Sequence, residues 1–97
     1  MGRGVIVAMA RLAALEVPGV LRVARGGSRW QAFFRGAPVV VRTHDDLVDI
    51  RVWVTARPNA DLSVVGAEAR VAVAGAVERL LGLRLGSVTV IVDGIGD

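Results

Sequence analysis

The sequence predicts an α+β fold: two helices packed on one face of a small, three- to four-stranded, mostly antiparallel sheet, in the order α-β-β-(β)-α-β. Three observations predict it. Apolar residues recur at helical three-and-four spacing in two separate segments. A strict alternation of period two runs through Leu47 to Ala56. The chain has 97 residues, 54% of them hydrophobic, which suits one modest core and a single domain over residues 1–97.

The first helix is expected from Val5 to Val17, with Ile6, Met9, Ala10, Ala13 and Val17 on one face. Pro18 and Gly19 stop it. A short strand comes next over Val20 to Arg25, then a turn at Gly26-Gly27-Ser28 and an aromatic run from Trp30 to Phe34. Gly36-Ala37-Pro38 breaks that run, and Pro38 can open the next strand, where its missing donor is tolerated.

Val39 to Thr43 and Leu47 to Ala56 are the clearest strands, with His44-Asp45-Asp46 as the turn between them. In the second of these, Val48, Ile50, Val52 and Val54 share the buried face. Leu47, Asp49, Arg51, Trp53 and Thr55 share the other, which is expected to be open. After a loop at Arg57 to Asp61, Asp61 or Ser63 caps a long helix reaching about Leu81. Its core stripe is Val65, Ala69, Ala72, Val73, Ala76 and Leu80, and Gly82 ends it. The last strand is expected over Ser87 to Asp93, with Val88, Val90 and Val92 inward.

Composition removes several function classes. There is no cysteine, so disulfide frameworks, thiolate metal sites and cysteine nucleophiles are excluded. One histidine makes a histidine-rich metal site untenable. The net charge of +3 is carried by arginines spread along the chain, without the stripe of a basic nucleic-acid domain. Apolar runs such as Gly4–Ala10 and Val71–Val77 fall short of the roughly 18 residues a membrane span needs. Arg11 and Glu16 interrupt the apolar start, so a helix explains it better than a secretory leader, and a cytoplasmic protein is expected.

Two stretches together resemble the alkaline shock protein family of bacterial envelope stress response proteins. The first runs from Val5 to Val20 and closes on Ala13-Ala14-Leu15-Glu16-Val17-Pro18-Gly19-Val20. The second is Ala76-Val77-Glu78-Arg79-Leu80-Leu81-Gly82-Leu83, running into Ser87-Val88-Thr89-Val90-Ile91-Val92. The resemblance extends from Val5 to Val92. It departs where that family has a short strand before the first helix, for which Met1 to Gly4 leaves no room. It departs again at Thr89 and Ile91, where the family often has Asn and His. The family's acidic and lysine-rich outer helix face is here Val64, Ala67, Val71 and Ala74. The resemblance implies a non-enzymatic cytoplasmic stress-response protein. Such a protein self-assembles and reaches the membrane through a separate anchor protein.

Candidate sites are few. His44-Asp45-Asp46 holds metal-ligand chemistry, but three neighbours in a turn converge poorly on one ion, and no nucleophile stands beside them. An accessory domain binding a metal or small ligand there is the weakest of three functional readings. Trp53 and Arg51, with Asp49 and Thr55 on the same face and Arg42 and Thr89 joining from neighbouring strands, suit three roles. These are base stacking, a protein interface, or packing under the Trp30–Phe34 segment. Val64, Val71 and Gly75, with Ala67 and Ala74, put small apolar residues on the outer side of the long helix, where charges are usual. Gly26-Gly27 and Gly94-Ile95-Gly96 lack the context of a phosphate cradle and are expected as turns or fraying ends.

The expectation is a non-catalytic protein with no catalytic, cofactor or metal residue. It would act through a partner interface at Val64, Val71, Arg51 and Trp53, by self-association and by docking to a membrane-anchored protein. The alternative is a small RNA- or DNA-binding domain using the open sheet face. A missing first strand would also leave an open sheet edge that a second chain could fill.

Overall fold

The computed structural model describes residues 2–25 and 36–96. Helix α1 covers Arg3–Leu15 and strand β1 Val20–Val23. Strands β2, Val39–His44, and β3, Leu47–Ala56, form a hairpin. Helix α2, Leu62–Gly75, continues into a π-helical turn, Ala76–Leu80, before strand β4, Leu85–Ile95. The expected α+β class and element order are present. The Gly26-Gly27-Ser28 turn and the Trp30–Phe34 run lie outside the described residues.

β3 is the central strand. β4 runs parallel to it from Val48 to Ala56 along one edge. The other edge is shared end to end: β2 pairs antiparallel with Leu47 to Val52, and β1 antiparallel with Val54 to Ala56. The junction falls at Trp53, whose N–H donates to the Pro38 carbonyl at 2.8 Å while its own carbonyl accepts from Ala24 N–H at 3.0 Å. Among the described residues β4 pairs with β3 alone, so its outer edge has no strand partner.

Both helices lie on one sheet face. Ile6, Ala10, Ala13 and Ala14 of α1 and Val65, Ala69 and Val73 of α2 bury against Val48, Ile50, Val52 and Val54 of β3. The small alanines of α1 let it sit close to the sheet. Asp61 caps α2, its carboxylate accepting from the N–H groups of Ser63 at 3.1 Å and Val64 at 3.3 Å. That satisfies two donors which a helix start would otherwise leave without partners.

Some expectations need correction. α1 starts at Arg3 rather than Val5 and stops at Leu15, and β1 ends at Val23. Leu80, expected in the core from the helical stripe, is 69% exposed. The π-helical turn explains this: each π turn takes up an extra residue, which rotates the later residues around the helix axis. Val77 becomes the buried residue, and Leu81 packs on the core in place of Leu80. Gly82 then turns the chain with a φ of 66°.

β4 is longer at both ends than the alternation of valines implied. Gly94 and Ile95 belong to it, and Gly96 N–H donates to the Ala56 carbonyl at 2.8 Å, so this tail is paired rather than frayed. A register shift between Val54 and Ala56 accommodates Gly94 at a φ of 133°, a conformation suited to glycine. The same paired tail covers Thr55, which is 7% exposed rather than open.

Candidate functional site: the sheet face opposite the helices

The face of the sheet opposite the helices carries a groove of about 510 Å³. Its floor is the outward side of β3, where Asp49, Arg51 and Trp53 succeed one another at period two. Arg42 comes from β2 and Thr89 from β4, as expected. In the register, Asp49 faces Arg42 on one side and Ser87 on the other, and Arg51 faces Val40 and Thr89.

Arg25 also lines the groove, and sequence spacing does not place it there. Its guanidinium Cζ lies 3.7 Å from the centroid of the Trp53 ring. Its Nε–H donates to the Ala37 carbonyl at 3.0 Å. The backbone explains the meeting: Ala24 and Pro38 both bond to Trp53, so the chain leaves and re-enters the sheet beside that indole. One face of the ring is therefore occupied, and a base could stack on that face only by displacing Arg25.

At one end of the groove Asp49 ties three strands together. Its carboxylate is paired with His44 Nε2 at 2.6 Å and accepts from the Ser87 hydroxyl at 3.0 Å. These hydrogen bonds, His44 first and Ser87 second, hold the Asp49 carboxyl below the usual carboxylate value. Only two residues of the expected turn are the turn itself: Asp45 and Asp46 have φ of 49° and 65°, while His44 closes β2. Both central residues at positive φ give the two-residue hairpin of the type I′ class. Among the described residues no three His, Cys, Asp or Glu side chains gather where they could hold a metal ion.

The four residues expected at partner surfaces fall on two faces, the sheet face and the outer side of the long helix, as their spacing implied. Arg51 is exposed in the groove and Trp53 half-buried beside it. Val64 and Val71 lie on the outer side of α2, across the core, at 48% and 67% exposure. Ala67 is exposed with them, while Ala74 and Gly75 are half-buried, and Arg79 Nε–H reaches back to the Gly75 carbonyl at 3.3 Å.

No family model and no curated protein sequence matches the chain. Solved structures do match. A histidine-to-alanine variant of MamM-CTD is similar at a TM-score of 0.64 and 19% identity, over 98% of this chain and 100% of that one. An aspartate-to-asparagine variant of MamM CTD, in a zinc form, is similar at a TM-score of 0.63 and 18% identity, over 97% of this chain and 87% of that one. At such identities the likeness shows a shared fold.

Proposed function

We propose that the chain is a non-catalytic protein-interaction domain that self-associates and docks on a membrane-anchored partner. This is the role implied by its resemblance to the alkaline shock proteins of the envelope stress response. One observation carries the proposal. Among the described residues eight large apolar side chains are prominently exposed, and seven of them sit on the helical layer. They are Val5, Leu12 and Leu15 of α1, Leu62, Val64 and Val71 of α2, and Leu80 of the π-helical turn. Seven exposed apolar side chains in one layer, where single scattered ones would be ordinary, support the reading of that layer as a docking surface.

The outer edge of β4 supports self-association. The strand has eleven residues, and from Leu85 to Ile95 it contains no lysine, arginine or proline to discourage pairing with another chain. No helix among the described residues is long and apolar enough to cross a membrane, so membrane association in this proposal runs through the partner. The zinc named for the like-folded MamM CTD is not carried over, because among the described residues no three His, Cys, Asp or Glu side chains gather where they could hold a metal ion.

The test is sedimentation of the wild type and of a Val64→Glu/Val71→Glu variant across protein concentration. The wild type should assemble, and the variant should shift to monomer with an unchanged circular dichroism spectrum. A wild type that stays monomeric throughout, or a variant that assembles unchanged, would overturn self-association through α2. Capture of a membrane protein from the native cell, unaffected by nuclease, should accompany it. Recovery of RNA, with the proteins lost on nuclease treatment, would move the function to the sheet face.

A further inference from the structure

We propose that the groove on the sheet face opposite the helices binds a small anion of the phosphate class, a phosphomonoester or pyrophosphate group, through Arg25, Arg42 and Arg51. The groove lies across the core from Val64 and Val71, so this site stands or falls independently of the self-association surface.

Charge and hydrogen-bonding capacity carry the inference. Three arginines from three parts of the chain line one open groove of about 510 Å³, a size suited to a small ligand. The carboxylate among them, Asp49, is already engaged by His44 and Ser87. Arg42 and Arg51 make no hydrogen bond or ion pair among the described residues. They are diagonal neighbours on adjacent strands, since Arg42 faces Asp49 and Arg51 stands two residues further along. Such diagonal positions are about 7–8 Å apart, a span that two arginine side chains close around one anion.

Arg25 is the most constrained of the three. Its Nε–H is held by the Ala37 carbonyl, and its Cζ lies over the Trp53 ring. Its terminal N–H groups make no hydrogen bond among the described residues and stay available to a ligand. A guanidinium fixed before its ligand arrives loses little freedom on binding, and it donates in the fork geometry that phosphate oxygens match. Thr89 adds a hydroxyl beside Arg51. A phosphate group has three terminal oxygens and up to two charges, enough to engage all three arginines. A lone carboxylate has two oxygens and one charge. A long nucleic-acid strand fits less well, because Arg25 occupies a face of the ring on which a base would stack.

The experiment is calorimetric titration of the whole chain at low salt with inorganic phosphate, pyrophosphate, acetate and a ten-nucleotide single-stranded DNA, each separately. Saturable one-to-one binding of pyrophosphate, with phosphate weaker and acetate absent, is expected. Arg51→Gln, an exposed change that breaks no hydrogen bond or ion pair among the described residues, should weaken binding about tenfold or more and leave the thermal midpoint unchanged. Arg25→Gln should weaken it similarly. Absence of saturable binding by either phosphate species overturns the proposal. So does binding indifferent to Arg51→Gln, or saturation by the oligonucleotide alone.

Discussion

The guanidinium of Arg25 lies 3.7 Å from the centroid of the Trp53 indole, joining the residue just past the end of β1 to the middle of β3. The contact closes over the point where β1 and β2 meet end to end along β3. A cation over a partly exposed indole is worth about 0.5–1 kcal/mol. A double-mutant cycle on Arg25→Gln and Trp53→Leu, read by urea unfolding, should return a coupling energy of about that size. Strict additivity of the two changes would show that the stack contributes nothing to stability.

Asp49 makes stability depend on pH. Its folded carboxyl titrates below the unfolded value because His44 and Ser87 hydrogen-bond the charged form. Folding therefore gains from Asp49 at every pH above the unfolded carboxyl value, about 3.9, and that gain disappears as pH falls through the lowered folded value. Asp49→Asn should thus be less stable than wild type near neutrality, and the difference should narrow as pH drops below about 4. Urea midpoints for the two proteins from about pH 2.5 to about pH 7 check this. A gap that stays constant down to the acid end would mean that the carboxylate charge is not what holds the three strands.

Val77 and Leu80 show where periodicity could be read and where it could not. The alternation in β3 and the stripes of α1 and α2 were legible because one residue step maps to a fixed rotation. That identified Val52, Val54, Val65 and Val73 as core, and all four are buried. A π-helical turn breaks the mapping, and no proline or glycine inside Ala76–Leu80 signals it. The groove was half legible for a related reason: Arg51, Trp53, Arg42 and Thr89 can be placed from strand faces, whereas Arg25 arrives by tertiary folding from beyond β1. The helical register has its own test. Val77→Ala should cost about 2–3 kcal/mol by losing buried methyl groups and leaving a cavity. Leu80→Ala, 69% exposed in the folded chain, should stay within about 0.5 kcal/mol of wild type. The reverse order in unfolding experiments would restore regular α-helical register through Leu80.

The β2–β3 hairpin closes on Asp45 and Asp46 at φ of 49° and 65°. Side chains with a Cβ are strained there, although aspartate tolerates the left-handed region better than most residues. The turn sets the register that pairs His44 with Leu47 and Arg42 with Asp49, so it also fixes the arginine side of the groove. Asp46→Gly removes the strain and produces the Asp-Gly pair favoured in such turns, which should raise stability by about 0.5 kcal/mol despite the freer unfolded chain. Asp46→Val puts a β-branched residue at the same φ and should lower stability by about 1 kcal/mol or more. The two changes in opposite directions, measured by urea midpoint, separate backbone strain from loss of charge, since both remove the same carboxylate. Equal effects from the two would assign the result to charge and remove the turn geometry as its cause.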